Sequence, residues 1–139
     1  MTKEEKVKIP KHMIIIPILI PILVCLITLS LHNGEFDSLL IITLLFNIGM
    51  EIIPYCILVT IWKRTSAWKS IDKQFGIRGA FVLLLFSQTF WEIIHWISYY
   101  ATHPDTTFTI TVFFLTSGII GGIGYGIGWL IGHLVQKTT

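Results

Sequence analysis

Four long runs of apolar residues fill most of this 139-residue chain, and they constrain its fold more than any other feature. The runs cover about 13–31, 39–62, 80–100 and 108–135, and the connections between them are short. A helix needs roughly 20 residues to cross the hydrocarbon of a bilayer. Because lipid offers no partner to backbone N–H and C=O groups, segments that cross it are expected to be helical. The sequence therefore predicts an all-α protein, a membrane-embedded four-helix bundle that spans residues 13–136.

The composition excludes several classes of protein. Hydrophobic residues make up 53% of the chain and charged residues 13%, with a mean hydropathy of +0.76. A soluble domain carries about 25% charged residues, so a soluble enzyme, a disordered tail and a DNA-binding module do not fit. The net charge of +2 is too small to indicate a nucleic-acid partner. The partner that the composition predicts is the lipid bilayer.

The basic residues predict the orientation in the membrane. All ten lie before the first run, between the second and third, or after the fourth: Lys3, Lys6, Lys8, Lys11, Lys63, Arg64, Lys69, Lys73, Arg78 and Lys137. The two remaining connections carry Glu35, Asp37 and Asp105 instead. Because basic residues accumulate on the cytoplasmic side of a membrane, both termini are predicted to be cytoplasmic, with residues 1–12 and 137–139 outside the bilayer.

Several polar residues lie inside the predicted spans. Burying Glu51 or Glu92 in lipid costs roughly 2.5–3.5 kcal/mol on insertion scales, so both are expected to face the bundle interior. Around Glu92, polar and aromatic residues recur every three or four positions and share one helix face. The predicted polar core or ligand-binding site, in the outer half of the bundle, comprises Asn47, Glu51, Gln88, Trp91, Glu92 and His95. The alternative is that these groups only hold the helices in register.

No cofactor or metal is predicted. His95 has no second histidine at the same depth of the bundle, which argues against haem. Cys25 and Cys56 lack the spacing of metal ligands and are interpreted as apolar thiols in the core.

Glycines dominate the last predicted helix. Gly118, Gly122 and Gly126 recur every four residues, and a second row with the same spacing comprises Gly124, Gly128 and Gly132. Small residues at this spacing let two helix backbones approach closely. The row Gly118, Gly122 and Gly126 is therefore predicted to pack against other helices in the middle of the bundle, or against a second copy in a homodimer.

Several residues also recur in a known arrangement. They are Asn47 and Ile53-Pro54-Tyr55 on one helix, Ser87, Glu92 and His95 on the next, and Thr116, Gly118 and Gly122 on the last. This layout, which covers about two-thirds of the chain, resembles the VanZ-like family of small membrane proteins, named for an accessory factor in teicoplanin resistance. The resemblance implies a bacterial cytoplasmic membrane, a role in the cell envelope and tolerance to glycopeptide antibiotics. The chain departs from the family pattern at His95, Thr111 and Leu115.

Functions from different classes are compatible with these features. The first is an accessory envelope protein that binds a lipid-linked or amphiphilic molecule, with Glu92, His95, Trp91 and Trp96 around it. The second is an envelope-lipid-modifying enzyme that uses Glu92 and His95 as an acid–base pair, although no nucleophile is evident. The third is a dimeric proton-coupled transporter that uses Glu51, and a scaffold role remains open beside it. The sequence favours the binding role over catalysis.

Overall fold

Four α-helices make up the protein as the computed structural model describes it. The described residues are 11–31, 34, 37–101 and 106–138, without the side chains of 68, 98–101 and 106–110. The helices are α1 (His12–Leu31), α2 (Ser38–Arg64), α3 (Ile71–Ala101) and α4 (Thr106–Thr138), and a short 3-10 helix, Ala67–Lys69, precedes α3. Each α-helix contains a stretch long and apolar enough to cross a membrane. The described part contains no strand, and the predicted all-α four-helix architecture is confirmed.

The helix bounds follow the predicted spans closely except at the start of α3. This helix begins at Ile71 and not near residue 80, because Asp72, Lys73 and Arg78 are compatible with a helix although their charges lower the local hydropathy. The predicted N-terminal segment up to residue 10, and most of the two acidic connections, lie outside the described residues.

Local side-chain chemistry fixes the ends of α2. The Asp37 carboxylate caps the first turn by accepting a hydrogen bond from Leu40 N at 2.7 Å. After Arg64 the chain reverses through Ser66, whose φ of 50° lies in the left-handed region. This tight reversal places α2 and α3 side by side in antiparallel orientation, with a dense set of basic residues where they join. We call this end of the bundle the basic end.

Helices α1, α2 and α3 pack around two apolar clusters. Buried residues recur along α1 at intervals of four, at Met13, Pro17, Pro21 and Cys25, so both prolines lie on its packed face. The cluster nearer the basic end contains Met13, Tyr55, Leu58, Trp62, Ala67, Ile77, Ala80, Phe81 and Leu84. The cluster at the other end contains Cys25, Leu29, Leu40 and Trp96. The polar residues of the bundle lie between these two clusters.

Helix α4 packs against α3 through glycines on both helices. A Cβ atom added to Gly124 would lie 2.6 Å from the carbonyl oxygen of Gly79 and 3.0 Å from the Cα of Ala80. A Cβ on Gly128 would collide with the carbonyl oxygen of Phe75. The two backbones therefore approach as closely as glycine allows. Within the described part of the chain, α4 makes little contact with α1 or α2.

The predicted packing role of the other glycine row is wrong within a single chain. Gly118, Gly122 and Gly126 are exposed, and a Cβ atom on any of them would have no neighbour within 4 Å. Helix α4 also lies at the side of the bundle and not in its middle. The physical reason is that Gly76 and Gly79 of α3 receive the row that includes Gly124 and Gly128. Packing of the exposed row against a second copy stays a prediction.

Candidate functional site

Five polar or aromatic side chains from α2 and α3 meet in the interior, and we call them the polar core. They are Glu51 and Tyr55 of α2 and Gln88, Glu92 and Trp96 of α3, and none is more than 4% exposed. Within each helix these residues are spaced by four, so they lie on one face. Since α2 and α3 are antiparallel neighbours, the two faces meet at one level of the bundle.

Gln88 connects three helices through a single amide group. Its Oε1 accepts a hydrogen bond from the Tyr55 hydroxyl at 2.5 Å. Its Nε2 donates to Glu51 Oε2 at 2.7 Å and to the Pro17 carbonyl of α1 at 2.9 Å. The Pro17 carbonyl would normally bind the N–H four residues on, but that residue is Pro21, which has none. Gln88 therefore satisfies a backbone acceptor that the proline leaves open.

The two carboxyl groups of the polar core contact each other. Glu51 and Glu92 lie within hydrogen-bonding reach, and Trp96 Nε1 donates to Glu92 Oε2 at 2.7 Å. The other oxygen, Glu92 Oε1, is buried and no donor among the described residues bonds to it. A hydrogen bond between two carboxyl groups requires a proton on one of them. No Lys or Arg occurs in residues 12–62 or 79–136, so the pair has no cationic partner at this depth.

The remaining predicted site residues lie around the polar core without joining its hydrogen bonds. Asn47 is buried one turn before Glu51. Trp91 and His95 are half-buried, and the His95 ring lies edge-on to Trp96 with ring centroids 5.2 Å apart.

The acid–base pair of Glu92 and His95 stays a prediction, because this structure shows no hydrogen bond between His95 Nε2 and Glu92. The Glu92 oxygen that accepts a hydrogen bond takes it from Trp96, and His95 Nε2 is buried with no partner among the described residues. The described residues also include no group of three His, Cys, Asp or Glu side chains that would hold a metal ion. Glu92 and Trp96 are fully enclosed, so neither lines an open pocket.

Two members of the hydrogen-bond network, Tyr55 and the Pro17 carbonyl, are absent from the site that the sequence predicts. Tyr55 enters the sequence analysis only through the family resemblance, although its spacing of four residues from Glu51 places it on the same helix face. The Pro17 carbonyl is the second member, since a proline four residues later leaves any helix carbonyl without its usual donor.

A lateral groove lies beside the polar core, between α2 and α4. Its volume is about 440 Å³. The lining residues are Pro54, Ile57, Leu58 and Ile61 of α2, Ala80 and Leu84 of α3, and Phe114, Ser117, Gly118, Gly121, Gly122 and Tyr125 of α4. The groove exists because α2 and α4 both pack on α3 but hardly on each other. Its lining is apolar apart from the hydroxyl groups of Ser117 and Tyr125.

The position of the groove relates it to both the polar core and the basic end. Pro54 precedes Tyr55 directly, and Leu84 lies one helical turn from Gln88, so one end adjoins the polar core. At the other end, Ile61 lies in the last turn of α2 and the Tyr125 ring lies against Gly76. The groove therefore extends from the middle of the bundle toward its basic end.

No family model, curated protein sequence or solved structure matches the chain.

Proposed function

We propose that the protein is an accessory membrane protein that binds an amphiphilic molecule from the bilayer, with the apolar chain of that molecule in the lateral groove. The observation that carries this proposal is the groove of about 440 Å³ with an almost wholly apolar lining. Ligand sites in proteins are mostly apolar clefts of about 300–1,000 Å³. In the bacterial membrane that the VanZ-like resemblance implies, the ligand is a lipid or a lipid-linked precursor of the envelope.

The glycines of the groove support a chain-shaped ligand. Gly118 and Gly122 present bare backbone to the groove, and no atom lies within 4 Å of either Cβ position. A leucine or isoleucine there would fill the space from one side. The exposed surfaces of the same helices carry large apolar side chains, among them Ile57 and Phe114, so a chain that leaves the surrounding lipid enters an equally apolar environment.

The polar core supports the proposal by fixing one wall of the groove. Helix α2 is tied to α3 by the hydrogen bonds of Gln88, whereas α4 is tied to α3 by the glycine interface at Gly79 and Gly124. The walls of the groove are thus held by two separate interfaces on one shared helix. A groove held in this way is formed before its ligand arrives, which lowers the ordering cost of binding.

The test fills the groove with a side chain and uses a matched glycine as control. In the variant Gly122→Leu the new side chain replaces a residue that lines the groove, whereas Gly126, one turn along the same row, is not a lining residue. Both positions have open space, so both variants are expected to fold. Native mass spectrometry of the purified proteins should show retained lipid on the wild type and on Gly126→Leu, and about tenfold less on Gly122→Leu. Equal lipid retention in all three proteins would refute the proposal.

A further inference from the structure

We infer that the ligand of the lateral groove is an anionic phospholipid whose headgroup is held at the basic end by Lys73 and Arg64. This inference rests on the proposed function and adds to it the chemical class of the ligand and its orientation. The sequence analysis predicted a binding site in the outer half of the bundle. The inferred headgroup lies at the opposite end, the basic end.

The charges at this end of the bundle are strongly unbalanced. The described basic residues there are Lys11, Lys63, Arg64, Lys69, Lys73, Arg78 and Lys137, and the single described acid is Asp72. The Asp72 carboxylate is bonded to the Ser70 hydroxyl and to the backbone N–H of Lys73. A Cβ on Gly132 would lie 2.7 Å from the Cα of Asp72, so the backbone at that acid packs against α4.

Helix geometry selects Lys73 and Arg64 from the basic residues. Lys73 precedes the groove residue Ala80 by seven positions, which is two turns less about 20°, so both lie on the same side of α3. Arg64 follows the groove residue Ile57 by the same interval on α2. Arg78, by contrast, is two positions from Ala80 and lies about 160° away around the helix. Lys73 and Arg64 therefore lie on the helix faces that carry groove residues.

A hydrogen bond confirms the position of the lysine. Lys73 Nζ donates to the Thr65 carbonyl at 3.4 Å, across the turn that joins α2 and α3. Thr65 in turn bonds to the carbonyl of Ile61, a lining residue of the groove, through its hydroxyl at 2.6 Å and its N–H at 2.9 Å. The ammonium group thus lies at the Thr65 carbonyl, one residue beyond Arg64 and within one turn of the lining residue Ile61. Both side chains are exposed and available to a phosphate.

This arrangement matches the chemistry of one membrane component. A phosphodiester headgroup accepts hydrogen bonds from a guanidinium and an ammonium group, and basic clusters at the membrane surface attract anionic lipids. From a headgroup at Lys73, an acyl chain passes Ile61 and Ala80 and lies along Gly122 and Gly118 toward Pro54. A zwitterionic lipid with the same chains would gain less from the two cations.

The experiment compares two lipids with identical chains, a phosphatidylglycerol and a phosphatidylcholine, added to the delipidated protein. Native mass spectrometry measures the affinity for each. The wild type should bind the anionic lipid more tightly. In the double variant Arg64→Gln and Lys73→Gln, the ratio of the two affinities should fall by about fivefold for each charge removed. Lys73→Arg keeps the charge and should keep the preference. Arg78→Gln removes an equal charge from the other side of α3 and should also keep it.

The possible outcomes separate the headgroup assignment from the groove itself. An unchanged preference in the double variant, or an equal loss in Arg78→Gln, overturns the headgroup assignment. Glycerol phosphate that protects the protein against thermal unfolding as well as the intact lipid does would indicate a free-anion site and also overturn it. If Gly122→Leu binds both lipids as the wild type does, the proposed groove itself fails. If Gly122→Leu blocks both lipids but no anionic preference exists, only the headgroup assignment fails.

Discussion

A single amide, that of Gln88, joins three transmembrane helices by bonding to Tyr55, Glu51 and the Pro17 carbonyl. Each of these partners is buried, so none has water as a substitute. The cost of losing a buried partner exceeds the net gain from forming a hydrogen bond. At the scale of residues, the packing of α1, α2 and α3 against one another therefore depends strongly on the single side chain of Gln88.

We predict that Gln88→Leu lowers the free energy of unfolding by about 1–2 kcal/mol, because it leaves two acceptors and one hydroxyl donor unsatisfied in the core. Thr60→Val is the control, since the exposed Thr60 hydroxyl bonds only to the Cys56 carbonyl of its own helix. This control should change the free energy by less than about 0.5 kcal/mol. Unfolding in a denaturing detergent, followed by circular dichroism, measures both. A loss no greater than that of the control would contradict the central role of Gln88.

The sequence indicates which residues belong in the polar core better than it indicates how they bond. Glu51, Gln88 and Glu92 stand out because lipid excludes them, and their spacing predicts a shared face. The partner of Glu92, however, is decided by rotamers: Trp96 and His95 are adjacent in sequence, and the structure gives the hydrogen bond to Trp96. No property of the sequence distinguishes these two donors in advance.

At the scale of elements, the two glycine rows of α4 have equal spacing but opposite environments. Gly128 faces the carbonyl of Phe75, whereas Gly126 faces open space. The period of four therefore identifies both rows without showing which one packs. What decides is the complementary surface on α3, where Gly76 and Gly79 admit the second row. The interface involves two helices, so the sequence of α4 alone does not predict which row packs.

We predict that replacing glycine by alanine at two positions of α4, residues 126 and 128, changes the stability of the protein in opposite directions. Gly126→Ala should be neutral or stabilise the protein by up to about 1 kcal/mol, because alanine favours a helix over glycine and meets no neighbour. Gly128→Ala should destabilise it by about 1–3 kcal/mol, because its methyl group forces the α3 and α4 backbones apart. The same unfolding assay measures both. Shifts of equal sign and size would show that α4 does not pack on α3 through Gly128.

At the scale of the whole molecule, the lateral groove arises because α2 and α4 hardly contact each other. Among the described residues, helices α1, α2 and α3 form a packed unit, α4 joins it mainly through α3, and the gap between α2 and α4 is the groove. Each lining residue is unremarkable in the sequence, since apolar residues and glycines are common in membrane helices. The four spans were predictable from their length and apolarity, but the groove depends on how three of them are arranged.

The orientation of the molecule in the membrane can be measured directly. It decides which leaflet holds the headgroup of the bound lipid. Every described Lys and Arg lies at one end, so the basic end is expected in the cytoplasm and Gly34, in the opposite connection, outside. In a background in which Cys25 and Cys56 are replaced by alanine, an impermeant maleimide should label Gly34→Cys in intact bacterial cells that express the protein. Lys69→Cys should react only after the cells are permeabilised. The reverse pattern would place the basic end, and with it the headgroup of the bound lipid, in the outer leaflet, where the positive-inside bias gives no reason to expect these cations.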